Sequence, residues 1–309
     1  MEKPFKPFYN VRLAASPINW CNDDMTDLGD EYSFVDIITQ MAQLRVQGSE
    51  MGRKYPRDPA VLRPALAAHQ LVLSSAWNTV HLADPANWPA ELAQFEQHVR
   101  FLKAMGAMHV VTCEGGGSVH WDRGGDRDEV IPFSDEQWRS VGRGLNEAGA
   151  IARSYGLRVA YHPHVGTNIQ TMDEIERLMA LTDPQSVTLL LDTGHIRLAG
   201  GDPLQLVRRH RERIEYIHLK DVRADVMQRF HAEHMSFLQG VRAGVFTVPG
   251  DGCIDFAPIL AYLAETDYQG WMVIEAEQDP ARANPLTYMG KALDYLYRIA
   301  GLGSGSLNT

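Results

Sequence analysis

Val187-Thr188-Leu189-Leu190-Leu191-Asp192-Thr193-Gly194-His195 runs almost wholly apolar and then turns abruptly to an acid, a hydroxyl, a glycine and a histidine. An apolar run this short, without strict alternation, suits a strand buried on both faces of a parallel sheet. The pattern recurs on either side. Leu157–His162, Ile214–Leu219 and Trp271–Glu275 lie nearest in character, and Val11–Ala15, Val46–Glu50, Leu71–Ser75 and His109–Cys113 precede them. Eight strands are therefore predicted.

The segments between these runs carry a helical period. Ser134-Asp135-Glu136-Gln137 reads as a capping box, and Trp138, Val141, Leu145, Ala148 and Ala152 follow as one apolar stripe. Thr171-Met172-Asp173-Glu174 is a second box, leading into Ile175 and Leu178. Asp58-Pro59, Asp202-Pro203 and Asn284-Pro285 each join a capping side chain to a proline suited to the first helical turn. Leu92, Phe95, Val99 and Leu102 form another stripe, which Gly106 should stop.

Strand and helix alternate throughout without a change of composition that would mark a linker. The expected architecture is α/β, a (β/α)8 TIM barrel in a single domain spanning residues 1–309, with 301–309 a loose Gly/Ser tail. An open doubly wound sheet would call for a glycine fingerprint after the first strand, and Ala14-Ala15-Ser16-Pro17-Ile18-Asn19-Trp20 has none. Gly115-Gly116-Gly117 is read as a turn at the barrel mouth.

Composition narrows the partners. With 45% hydrophobic and 22% charged residues the chain is too apolar to be disordered. A net charge of −10 disfavours duplex nucleic acid and anionic membranes, which need a cationic face, and leaves small neutral ligands. Cys21, Cys113 and Cys253 lack framework spacing and read as reduced thiols. No signal peptide or membrane span is read, so a cytoplasmic location is expected.

In a barrel the site forms where strands end, and four successive strands end on ionisable groups: Tyr161-His162-Pro163-His164, Asp192-Thr193-Gly194-His195, His218-Leu219-Lys220-Asp221 and Glu275-Ala276-Glu277. Residues two apart share a face, so these groups converge if that face is inward. Singly, Asp192 could cap a turn and Glu275 could pair at the rim. Together, buried carboxylates and imidazoles call for a divalent metal, with Asp192, His218 and Glu275 as ligands. Mixed oxygen and nitrogen donors suit Mn, Co, Fe or Zn better than Ca.

These strand-end motifs resemble the xylose-isomerase-like barrel superfamily. Trp20-Cys21-Asn22-Asp23-Asp24-Met25, Gly52-Arg53-Lys54-Tyr55-Pro56-Arg57-Asp58, Tyr161-His162-Pro163-His164-Val165-Gly166-Thr167 and Phe246-Thr247-Val248-Pro249-Gly250-Asp251-Gly252 are similar, more narrowly, to the inosose dehydratase family. The resemblance implies metal at Asp192, His218, Glu275 and His162, the last standing where the superfamily usually has Glu, with His164 as the alternative fourth ligand. It implies Co or Mn, and links the family to glutathione.

The activity so implied is loss of water from 2-keto-myo-inositol to give a trihydroxycyclohexane-dione. Proton transfer then falls to Lys220, His195 or Glu50, with Lys220 brought into range by nearby positive charge. Trp20, Asn22, Lys54 and His164 are the candidate substrate-binding residues. A ketose isomerase or epimerase is the first rival. An endonuclease IV-like enzyme is the second, although its extra metal ligands are missing near Gly250-Asp251-Gly252. A dimer or tetramer is expected, in which the segment 222–243, read as one inserted helix, covers a neighbour's site.

Overall fold

The computed structural model describes residues 11–119 and 130–300; the N-terminus and the tail 301–309 lie outside the described residues. The strands are β1 (Val11–Ala15), β2 (Gly48–Ser49), β3 (Val72–Leu73), β4 (Trp77–Val80), β5 (His109–Glu114), β6 (Arg158–Tyr161), β7 (Val187–Asp192), β8 (Ile214–Leu219), β9 (Asp221–Val222), β10 (Phe246–Thr247) and β11 (Gly270–Ile274). Nine of them form one sheet in the order β3-β2-β1-β11-β8-β7-β6-β5-β4, and β9 pairs with β10 in a small antiparallel ribbon. Every pairing in the large sheet is parallel.

The two ends of that order are neighbours in the chain, so β3 and β4 are one barrel strand broken at residues 74–76. The break is bridged on both sides. Ser74 N donates to Ser49 O and Met51 N donates to Ser75 O, at 2.9 and 3.0 Å. On the other side Ser75 Oγ donates to His109 O at 3.0 Å and accepts from Val111 N at 3.2 Å, taking the place of a backbone ladder. The predicted run Leu71–Ser75 thus holds only the first half of the third strand, and Trp77–Val80 is the half that was not read.

The helices fall where the caps placed them. Ser134 caps Asp135–Ser154 and Thr171 caps Met172–Leu181, each with a complete capping box. Asp58, Asp202 and Asn284 accept from the first turns of Pro59–Ala68, Pro203–His210 and Pro285–Ile299. Trp88–Met105 ends at Gly106, whose φ of 82° lies in the left-handed region that glycine enters without strain. No described helix is long and apolar enough to cross a membrane.

Most buried apolar side chains lie between sheet and helices. A smaller cluster, Ala14, Val111, Ala160, Leu190, Tyr216, Trp271 and Val273, fills the barrel interior. Two residues beyond four of these come His162, Asp192, His218 and Glu275. The strand period of two therefore puts each of them at the next inward position, on top of a packed floor.

Candidate active site

The four side chains converge. His218 Nδ1 lies 3.4 Å from Asp192 Oδ2 and 3.3 Å from Glu275 Oε2, and His162 Nε2 lies 3.4 Å from Asp192 Oδ2. One donor atom from each of the four falls within 4.8 Å of the others, and all four residues are buried. Asp192 Oδ2 and His218 Nδ1 make no hydrogen bond to a described residue. Buried polar atoms left so are costly unless a ligand satisfies them, and two imidazoles with two carboxylates form a donor set suited to a borderline divalent ion. The residues fit a metal. Asp192 also caps the following short helix through His195 N at 2.8 Å, so its two oxygens divide between turn and site.

Lys220 lies behind the cluster. Its Nζ is 2.6 Å from Glu275 Oε1, 2.8 Å from Glu277 Oε2 and 3.4 Å from Asp192 Oδ2. Its stem runs over Gly194, where a Cβ would come within 2.5 Å of the lysine Cγ, so only glycine fits there. Burial acts to lower the lysine pKa, but Asp192, Glu275 and Glu277 outweigh it and raise it above the ordinary range. The three carboxylates facing it favour the ammonium, in the direction opposite to the one that nearby positive charge was expected to give. Burial likewise opposes ionisation of Asp192 and Glu275, and neighbouring basic side chains overcome it, led by Lys220 for Asp192 and by His218 for Glu275. Glu277 is pushed up to about 7 by burial, with Lys220 pulling the other way. His195 reaches Lys220 Nζ through Nε2 at 3.1 Å and accepts from Val165 N through Nδ1 at 3.2 Å.

A cavity of about 120 Å³ opens onto this cluster, and His162, His164, His218, Glu275, Glu277 and Glu50 reach it. Glu50 Oε1 lies 2.9 Å from His218 Nε2 and accepts from Tyr216 OH at 3.0 Å. The early-loop candidates are placed elsewhere. Trp20 is fully buried with its indole N–H on Gln40 Oε1, Asn22 Oδ1 accepts from Asp24 N and Met25 N, and Lys54 pairs with Asp30. Tyr55 packs edge-on against Phe34. These residues shape a loop whose cavity-facing side chains are Asp23 and Asp24, neither of which was singled out. Asp23 is solvent-exposed on the cavity wall and accepts a hydrogen bond from Arg53 N at 3.2 Å. Trp77 was also missed; it lies across the break in the third strand, 40% exposed in the cavity wall, with its ring 5.3 Å from that of His162.

The segment read as one inserted helix is two, Ala224–Ala232 and Phe237–Ala243, because Ser236 and Gln239 form a fresh capping box that restarts the chain. Phe237 lies 4.9 Å from the ring of His164 and stacks at 5.7 Å on His195. Through Phe237 the segment packs against two histidines of its own chain's site.

The family described as xylose isomerase-like TIM barrel matches residues 26–299. The inosose dehydratase of Geobacillus kaustophilus is 44% identical over 301 residues, 97% of this chain and 97% of the relative. That of Geobacillus thermodenitrificans is 46% identical over 294 residues, 94% of this chain and 98% of the relative. The chain belongs to the inosose dehydratase family. The fold of this inosose dehydratase family member is shared by a solved IOLI protein with a bound zinc atom, at 15% identity and a TM-score of 0.68, over 94% of this chain and 98% of the other. The early motifs that resemble the inosose dehydratase family thus lie in the loop that presents Asp23 and Asp24, while the late motifs carry the donor cluster.

Proposed function

We propose that this protein is a metal-dependent inosose dehydratase, a hydro-lyase converting 2-keto-myo-inositol (scyllo-inosose) to 3D-(3,5/4)-trihydroxycyclohexane-1,2-dione. The observation that carries the reading is the 44% identity to an inosose dehydratase along 97% of both chains. The cavity supports it: Asp23, Asp24, Glu50, Glu275 and Glu277 reach it, and no described Lys or Arg does, which favours an uncharged polyol over a phosphorylated sugar.

The reaction removes a proton from the carbon beside the ketone and hydroxide from the next carbon. One water is released, and the enol so formed tautomerises to the dione. His162, Asp192, His218 and Glu275 would hold the divalent ion. When bound, it supplies Lewis-acid polarisation of a substrate oxygen. Glu277 faces the cavity with Lys220 behind it, which supports a role in taking the proton; His164, also facing the cavity, would assist the departing hydroxyl. Single donor atoms of these two lie within 4.8 Å of each other, close enough to serve neighbouring carbons. Lys220 and His195 sit outside the cavity lining and act by holding Glu277, Asp192 and the loop at Val165. The reading includes Mn or Co as the ion, glutathione as a family-linked cofactor, a homo-oligomer and a cytoplasmic location.

Chelator-treated protein should gain the dione's ultraviolet absorbance from scyllo-inosose only after Mn2+ or Co2+ is restored. No absorbance with inosose, alongside turnover of a ketose, overturns the reading in favour of an epimerase.

A further inference from the structure

We propose that Glu50 and Tyr216 are positioning residues, which lock His218 in the tautomer and orientation that leave Nδ1 free to bind a divalent ion. The inference rests on the metal reading of the four-residue cluster and not on the identity of the substrate.

His218 presents its two ring nitrogens to different surroundings. Nδ1 faces Asp192 Oδ2 and Glu275 Oε2 at 3.4 and 3.3 Å and makes no hydrogen bond to a described residue. Nε2 lies 2.9 Å from Glu50 Oε1. The same Oε1 accepts from Tyr216 OH, so it serves as an acceptor for Nε2 as well; Nε2 then carries the hydrogen and Nδ1 keeps its lone pair on the side of the other donor atoms. The bond also sets the ring plane, because it spans the barrel from the end of β2 to the end of β8.

Glu50 is itself held. The Tyr216 hydroxyl donates to the same Oε1 at 3.0 Å and also lies 2.9 Å from Ser74 Oγ. Tyr216 precedes His218 by two on β8, so both point into the barrel, the phenol below the imidazole. All of these side chains are buried. An Oε1 already engaged by two donors is poorly disposed to take a substrate proton, whereas it is well disposed to orient the histidine. A carboxylate on the far nitrogen of a ligating histidine fixes its orientation and strengthens it as a donor.

The test is calorimetric titration of Mn2+ into chelator-treated wild type, Glu50→Ala, Glu50→Gln and Tyr216→Phe, with the melting temperature of each metal-free protein recorded alongside. Glu50→Ala should bind Mn2+ roughly ten- to a hundredfold more weakly than wild type. Glu50→Gln should recover part of that loss, since its amide oxygen still accepts from Nε2. Tyr216→Phe, which leaves the Glu50–His218 bond in place, should lose a few-fold and keeps the test available if Glu50→Ala fails to fold. Wild-type affinity in Glu50→Ala, or in both Glu50→Gln and Tyr216→Phe, overturns the proposal. So does a collapse of kcat in Glu50→Gln with Mn2+ affinity unchanged, which would make Glu50 a proton-transfer group. Absence of Mn2+ binding by wild type overturns it together with the metal reading. The expected affinities without any turnover of inosose support it and count against the dehydratase reading alone.

Discussion

Glu275 divides its two oxygens, turning Oε1 to the Lys220 ammonium at 2.6 Å and Oε2 to His218 Nδ1 at 3.3 Å. Lys220 is fully buried, so it supplies Asp192, Glu275 and Glu277 with one shared counter-charge inside the protein. Lys220→Met keeps most of the volume and removes the cation. Breaking one partner out of a buried charge group costs about 3–5 kcal/mol. Denaturant unfolding of the metal-free variant should show that loss, and saturating Mn2+ should recover more stability for the variant than for wild type. A variant as stable as wild type without metal would mean that the carboxylates do not depend on Lys220.

His162 gives the four-residue cluster a second imidazole nitrogen beside that of His218. Exchanging that nitrogen for oxygen should change which ion is preferred, because imidazole suits Zn and carboxylate suits Mn. His162→Glu is expected to bind a divalent ion still, with the ratio of Zn2+ to Mn2+ affinity lowered at least several-fold relative to wild type. His162→Ala should weaken both ions. Competition titrations with a chromogenic chelator read the ratio directly, and an unchanged ratio in His162→Glu would remove His162 from the ligand set.

Late strands were readable because each apolar run stops on an ionisable residue at the position where the interior opens: Leu190 then Asp192, Tyr216 then His218, Val273 then Glu275. That pattern is one-dimensional, and the period of two translates it into a shared face. The break at residues 74–76 carried no such signal. Ser74-Ser75-Ala76 has no glycine or proline to mark a break, and Ser75 closes the ladder with its side chain. In the early loop, sequence chemistry could not tell which neighbours point inward. Trp20 and Asn22 satisfy the loop's own packing and hydrogen bonds, leaving Asp23 and Asp24 on the cavity side.

Trp77 offers the cavity an aromatic face. Its indole N–H is held by Thr79 Oγ1 at 2.8 Å, and its ring stands edge-on to His162 and His164 at 5.3 and 5.6 Å. The hydroxyls of scyllo-inosose are equatorial, so its ring faces carry axial hydrogens and are apolar. Trp77→Ala should therefore raise KM for inosose, by roughly threefold to tenfold for the loss of one aromatic contact, and change kcat less. Trp77→Phe should restore most of it. Because the side chain is partly exposed, melting temperatures should move little. An unchanged KM in Trp77→Ala would place the substrate elsewhere in the cavity.

Glu114 supplies a pH dependence separable from the metal cluster. Burial raises its carboxyl from 4.5 to about 7, against backbone hydrogen bonds from Leu82 N and Gly116 N at 2.8 and 2.9 Å. Between those two values the folded protein binds more protons at this site than the unfolded chain. The site's contribution is therefore full below about pH 4.5 and is lost as pH rises through 7, by on the order of 3 kcal/mol. Glu114→Gln cannot ionise. Its NH2 group cannot accept from both backbone donors as the two oxygens do, so one buried N–H loses its partner, at about 1–3 kcal/mol. Unfolding measured from pH 5 to 8 should show the variant less stable than wild type at pH 5, with the gap narrowing as pH rises. Parallel curves across that range would show that Glu114 ionises at its ordinary value in the folded protein, its two backbone donors outweighing its burial.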